Sequence, residues 1–265
     1  MFKMLVLDLD GTLLDSQKAV SAKNIQAIVR ASRLGMHIVL ATGRPPVGTM
    51  EARASLGSAC SEFLIAYNGA LIENMRTGMT VFEQTITVAG YLQVAQFAAS
   101  SRLFCYAYSR QACLTPEPHA VTDWENQING IDVQLTDFSR LDPAMPLIKA
   151  MVTGDPDLLD QCQENIPANL AGQFTILRSA PELLEFLSPQ ASKGRAVSYL
   201  AGILGIGRQE IICVGDSGND KDMIQYAGLG VAMDNATAEI KAAADFVTRS
   251  NDNHGIAHLI DQIIG

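Results

Sequence analysis

Lys3-Met4-Leu5-Val6-Leu7-Asp8-Leu9-Asp10-Gly11-Thr12-Leu13 is a run of apolar β-formers closed by two aspartates, a glycine and a threonine. Unbroken apolar residues without polar alternation describe a strand buried on both faces, the signature of a parallel sheet covered by helices. Such sheets carry ligands at the carboxyl ends of their strands, so Asp8 and Asp10 are the first candidates for chemistry. The same grammar continues downstream. Ser21 reads as the N-cap of a helix bearing Ile25, Ile28 and Val29, with Gly35 as its stop. His37-Ile38-Val39-Leu40-Ala41 is a second buried strand and ends in Thr42-Gly43-Arg44, with Pro45 and Pro46 suited to the first turn of the next helix. Phe63-Leu64-Ile65-Ala66 is a third strand, followed by Asn68-Gly69, a tight-turn signal.

The C-terminal third repeats the pattern. A helix is expected over 193–204, then a strand Ile211-Ile212-Cys213-Val214 ending in Gly215-Asp216, a helix over 219–227, a short strand over 230–233, a last one at Phe246-Val247, and a terminal helix. Residues 83–187 differ: their strands are separated by long mixed segments, and they hold 13 acidic and 5 basic residues against 15 and 14 in the remainder. The fold class expected is therefore α/β, a doubly wound parallel-sheet core over 1–82 plus 188–265 with an inserted α/β cap domain over 83–187.

The 265 residues are 48% hydrophobic and 18% charged, which supports one large core or two modest ones and excludes wholesale disorder. A net charge of -9 repels nucleic acid and anionic membrane surfaces, so neither is an expected partner. No apolar run approaches the ~20 residues of a membrane helix. Met1 is followed directly by strand-like residues, without the basic region, apolar core and cleavage site of a secretory signal, so the expected location is the cytoplasm. The five cysteines form no C-x-x-C pair and read as small buried hydrophobes in a reducing compartment.

The polar residues at the strand ends are Asp8, Asp10, Thr42, Asp216, Asn219 and Asp220, with Lys193 at a helix start after Ser192. Two carboxylates ~4 Å apart repel by roughly 4 kcal/mol at an effective dielectric of 20. A cluster of four needs a cation, and an all-oxygen ligand set without paired His or Cys favours Mg²⁺. A carboxylate on the metal could act as nucleophile and one off it as acid and base, while Thr42, Lys193 and Asn219 are donors suited to an anionic oxygen group.

Four motifs in order carry a resemblance. Asp8-Leu9-Asp10-Gly11-Thr12-Leu13, Thr42-Gly43-Arg44, Lys193-Gly194 and Gly215-Asp216-Ser217-Gly218-Asn219-Asp220 resemble the signature of the haloacid dehalogenase superfamily of phosphatases. With Gly228-Leu229-Gly230-Val231-Ala232-Met233 and Ser250-Asn251-Asp252, and with a large α/β insert between the second and third motifs, the chain looks most like the Cof-type branch (subfamily IIB), within it the YidA-like sugar-phosphate phosphatases. The resemblance implies a Mg²⁺-dependent phosphatase acting on small phosphorylated metabolites through an aspartyl-phosphate. Asp8 would attack phosphorus, and Asp10 would protonate the leaving alkoxide and then activate water. Mg²⁺ would sit on the Asp8 carboxylate, the Asp10 carbonyl and Asp216. Thr42, the Gly43 amide, Lys193 and Asn219 would bind phosphate, with Leu9, Arg44 and Asp220 in support, Asp220 holding Lys193 or a metal-bound water. The rivals are a phosphotransferase or phosphomutase of the same chemistry, and a catalytically weak phospho-ligand-binding regulator; a binder has no need of both Asp8 and Asp10. A monomer or weak homodimer is expected.

Other signals carry less. Arg44 reads as a surface salt-bridge partner or a substrate contact, and Asn68-Gly69 as a hairpin turn that could border the site. His254 and His258 have helical metal-ligand spacing but no third ligand, and Trp124 reads as a core or edge aromatic before a sugar-stacking one. Gly215-Asp216-Ser217-Gly218-Asn219 fails G-x-S-x-G at its last position.

Overall fold

The computed structural model describes residues 1–264, in two compact units: Met1–Phe82 with Ser192 onward, and Glu83–Ala191. The first is built on an eight-stranded sheet. From one edge its strands are Phe246–Val247, Leu229–Ala232, Ile211–Gly215, Met4–Leu7, His37–Ala41, Phe63–Ala66, Leu71–Asn74 and Met79–Glu83. Met4–Leu7 is central and pairs in parallel with both Ile211–Gly215 and His37–Ala41; all four of its residues are fully buried, as the unbroken apolar run requires. Met4, Val6, Val39, Ile65 and Cys213 pack against Ala196, Val197 and Leu200 of the helix Lys193–Leu204. The helix Ala22–Arg33 packs on the C-terminal helix Gly255–Ile264, tied to it by Ala257 N–H donating to Asn24 Oδ1 at 3.0 Å. Ser21 caps Ala22–Arg33 by accepting from the Asn24 amide.

Two local departures from the expected pattern have clear causes. The sheet is not parallel throughout: Phe63–Ala66 and Leu71–Asn74 are antiparallel, because the Asn68-Gly69 turn folds the chain straight back. The segment expected as one helix over 219–227 is a 3₁₀ turn Gly218–Asp220 followed by a helix Lys221–Tyr226. Asp220 Oδ2 accepts from the amides of Asp216 and Ser217 at 3.0 and 3.1 Å, and this tightens the entry turn.

The second unit is a six-stranded sheet in the order Thr175–Ala180, Leu183–Leu187, Lys149–Thr153, Phe104–Tyr108, Ala112–Thr115, Asp132–Leu135. Its pairs are antiparallel except the last, whose parallel crossover contains the helix Ala120–Asn129. Cys105, Ala107, Ala150, Val152, Leu184 and Phe186 form one apolar face, packed on residues of the helices Val88–Ser100 and Pro156–Glu164. The alternate positions are mixed: Met151, Leu183 and Leu187 are apolar, while Lys149, Glu185, Tyr106 and Tyr108 bring polar groups. Lys149 Nζ lies 2.8 Å from Glu185 Oε2, both nearly buried, and Tyr106 Oη donates to Glu125 Oε1 at 2.8 Å. The five cysteines are free thiols, four of them buried and Cys60 half-buried. No described helix is long and apolar enough to cross a membrane.

Candidate active site

Three parallel strands lying side by side end in Asp8, Thr42 and Asp216, so the register of the sheet alone brings the first, second and fourth motifs together. Lys193 is the first residue of its helix, whose N-cap Ser192 accepts from the Arg195 amide. The Lys193 side chain is fully buried, and its ammonium sits 2.6 Å from both Asp8 Oδ1 and Asp220 Oδ1. Of the two roles open to Asp220, the geometry is that of a lysine holder. Asp8, Asp216 and Asp220 bring carboxylate oxygens within 4.8 Å of one another. Thr12 donates to Asp216 Oδ1 at 3.1 Å. Gly11, with φ +80°, lets the loop close on Asp216, since a Cβ there would lie 2.6 Å from Asp216 Oδ2. Leu9 is fully buried and supports the loop through its carbonyl, which accepts from Leu14 N–H at 2.9 Å. At Gly218 a Cβ would meet open space, so that position tolerates larger residues.

The electrostatics follow from three carboxylates around one ammonium. Burial, then the charge of Asp220, push the Asp8 carboxyl well above its usual range, with Lys193 opposing them. Burial and Asp220 push Asp216 up to about 6. Burial alone would lower the Lys193 ammonium, but the charges of Asp220 and Asp8 carry it above its usual value. Both oxygens of Asp220 are engaged, while Lys193 takes Oδ1 of Asp8 and Thr12 takes Oδ1 of Asp216. One oxygen of each of Asp8 and Asp216 is thereby left to accept a cation. An excess of buried negative charge in an oxygen-only donor set fits a hard dication such as Mg²⁺.

Asp10 is placed differently. Arg44 Nε and Nη2 grip its two oxygens at 2.7 and 2.6 Å, and Lys18 Nζ adds a contact at 2.9 Å. Burial raises the Asp10 carboxyl, but the hydrogen bond and charge of Arg44, and then of Lys18, outweigh it and hold the group below its usual range. Arg44 is thus a salt-bridge partner within the constellation, bidentate and largely buried. Thr42 Oγ1 accepts from the Arg44 amide at 3.1 Å, and Gly43 lies against the Asn68 side chain. Asn219 donates from Nδ2 to Asn68 Oδ1 at 2.9 Å. Asn68 is therefore both in the hairpin turn and beside these loops. Sequence reasoning missed Lys18 and gave Thr12 no separate role. Thr12 stood within the first motif, whereas nothing local marks Lys18: it reaches Asp10 from a left-handed position, φ 62°, in a turn organised by the Asp15 carboxylate. His254 and His258 hydrogen-bond to Ser21 and Thr248 through Nδ1 and do not converge, and Trp124 is exposed on Ala120–Asn129.

A family model described as haloacid dehalogenase-like hydrolase matches residues 5–260. The chain belongs to this family. The chain is 32% identical to 5-amino-6-(5-phospho-D-ribitylamino)uracil phosphatase YwtE of Bacillus subtilis, over 99% of this chain and 98% of that protein. It is 30% identical to phosphatase YwpJ of the same organism, over 99% of this chain and 100% of that one. Among solved structures it superposes on a haloacid dehalogenase-like hydrolase from Bacteroides thetaiotaomicron with a TM-score of 0.87 and 32% identity, covering 99% and 100% of the two chains. The superfamily resemblance carried by the four motifs is borne out, as is the Cof-type branch read from residues 228–233 and 250–252 and the large insert, and the chain is a phosphoric monoester hydrolase.

Proposed function

We propose that the protein is a Mg²⁺-dependent phosphatase of monophosphorylated sugars or polyols, working through an aspartyl-phosphate on Asp8. The observation that carries this reading is the buried Asp8–Lys193–Asp220 chain beside Asp216. Asp8 attacks phosphorus as the bond to the ester oxygen breaks. Asp10 donates a proton to the departing alkoxide. Water then attacks the aspartyl-phosphate, giving its proton to Asp10 and restoring the Asp8 carboxylate as inorganic phosphate leaves. Asp8, Asp216 and the Asp10 carbonyl would hold Mg²⁺, which when bound offsets the repulsion between the Asp8 carboxylate and the phosphoryl oxygens. Lys193, Thr42, the Gly43 amide and Asn219 bind and orient the phosphoryl group. The ionised Asp10 gripped by Arg44 and Lys18 is its base form; a phosphate dianion brought beside it raises its affinity for the proton needed to act as acid.

The substrate class rests on charge. Four of the five basic residues of 83–187 face carboxylates of the same unit: Arg110 on Glu83, Arg140 on Asp137, Lys149 on Glu185 and Arg178 on Asp160. A cap so short of uncommitted cations suits a neutral leaving group rich in hydroxyls better than a second phosphate. YwtE, named for a phosphoribityl substrate, fits a phosphorylated polyol chain.

Phosphate release from p-nitrophenyl phosphate and a panel of metabolites tests this. Activity is expected with Mg²⁺ and not in excess EDTA, with kcat/KM highest for a sugar or polyol monophosphate at both low and high salt. Full activity in EDTA would remove the metal from the scheme, and a bisphosphate or nucleotide ranking first would overturn the charge argument. Asp10→Asn separates the acid role from binding. The variant is expected to lose about 10²- to 10⁴-fold in kcat with a sugar phosphate and far less with p-nitrophenyl phosphate, whose phenol leaves without a proton. Equal losses on both would assign Asp10 to positioning alone.

A further inference from the structure

Tyr67, Asn68 and Gly69 are three consecutive residues in the left-handed region, with φ of 51°, 56° and 88°. Glycine adopts this at no cost and asparagine at some, but a tyrosine there is uncommon. Hairpin turns normally lie on the surface, yet Tyr67 and Asn68 are 0% and 1% exposed. The ladder closes at Ala66 and Leu71, so Tyr67–Ala70 form a four-residue connection, and chain reversal alone, for which an Asn-Gly pair suffices, does not call for a left-handed tyrosine at its head. What the segment touches does. Tyr67 N–H donates to Arg44 O at 3.2 Å and Asn68 N–H to Thr42 O at 2.9 Å. A Cβ on Gly43 would lie 3.1 Å from Asn68 Oδ1, and one on Gly69 would lie 2.1 Å from Ser192 O and 2.9 Å from Lys193 N. Asn68 Oδ1 accepts from Asn219 Nδ2, while Asn219 Oδ1 accepts from Ser217 Oγ at 3.0 Å. The loops bearing Thr42, Lys193 and Asn219 therefore all rest on one buried, strained segment.

Building on the reading of those three residues as phosphate ligands, we propose that Asn68 is a positioning residue. It fixes the Asn219 amide so that the remaining Nδ2 hydrogen is aimed at a phosphoryl oxygen. With Ser217 holding the other end, the amide can neither flip nor rotate away. Strain held by surrounding structure is characteristic of such sites.

Asn68→Gly isolates the role, because glycine takes φ near +56° freely and deletes only the amide. Turnover of p-nitrophenyl phosphate, inhibition by inorganic phosphate and Tm are measured for Asn68→Gly, Asn219→Ala and the double variant. The expected result is an unchanged or higher Tm, a fall in kcat/KM of about ten- to hundredfold, weaker phosphate inhibition, and an effect of less than about twofold once Asn219 is already alanine. Wild-type kcat/KM in Asn68→Gly, an equal loss in both backgrounds, or a loss that follows a lowered Tm would overturn the proposal. A wild-type protein that releases no phosphate would instead fail the phosphatase reading, and this inference with it.

Discussion

Asp8→Asn is expected to abolish turnover while leaving the fold at least as stable as the wild type. The amide is nearly isosteric, so packing at the end of the Met4–Leu7 strand is kept, but it cannot form an aspartyl-phosphate. Removing a nucleophile from a preorganised site costs on the order of 10⁶ in kcat in the best-measured hydrolases. The stability side follows from the site itself. Asp8 is buried beside two other carboxylates with one ammonium among them, and its carboxyl is held well above the ordinary range by burial and by Asp220. Neutralising it removes repulsion at the cost of one charged contact to Lys193, which still holds Asp220 at 2.6 Å. Turnover within about tenfold of wild type would end the nucleophile assignment. A Tm well below wild type in EDTA would show that the Lys193 contact outweighs the repulsion.

Lys193→Met acts in the opposite direction on stability. The ammonium is fully buried between Asp8 and Asp220. Methionine fills similar volume but leaves the carboxylates without a counter-charge, and breaking a buried pair from one side costs about 3 to 5 kcal/mol. For a chain of this size that lowers Tm by on the order of 10 °C in EDTA, and added Mg²⁺ recovers part of the loss. The pH dependence has a definite sign. Asp216 stands at about 6 against its ordinary 3.8, and Asp8 is also raised. A carboxyl raised in the folded state binds its proton more tightly there than in the unfolded chain. Its stabilising contribution is complete below about 4 and disappears as pH rises through the folded value. The variant is therefore expected to regain stability as pH falls from 7 toward 4, more so than the wild type because the opposing cation is gone. Thermal melts across that range in EDTA check it. A deficit that widens on acidification, or a Tm shift under about 2 °C at pH 7, would contradict the electrostatic account.

The strand ends were legible because a buried parallel strand writes itself locally, as an apolar run closed by a polar residue. Met4–Leu7, His37–Ala41 and Ile211–Gly215 all do so. Side-by-side pairing then brings Asp8, Thr42 and Asp216 together without further information. Arg44 was ambiguous because a side chain that long can reach outward or inward, and only the tertiary structure aims its fork at Asp10. Lys18 left no trace in the sequence: its turn depends on Ser16 N–H reaching Asp252 and on Leu14 O accepting from Asn251, residues far along the chain. The charged pair on the other face of the second sheet was equally hidden. Lys149 and Glu185 look like solvated charges until the antiparallel register sets their strands side by side.

The pairing of Met4 with Ile211 also dictates when this protein can fold. The central strand is made first, yet one of its two neighbours leaves the ribosome only after Glu83–Ala191 has been synthesised in full. With synthesis at about 5 to 20 residues per second, the half-sheet of the N-terminal segment waits on the order of 7 to 27 seconds with an apolar edge uncovered. The inserted unit has no such delay, since all its strands are contiguous in the chain. Biogenesis therefore runs from the inside out: the middle of the polypeptide can collapse first, and the two outer segments close the large sheet last, in a slow step dominated by distant pairings.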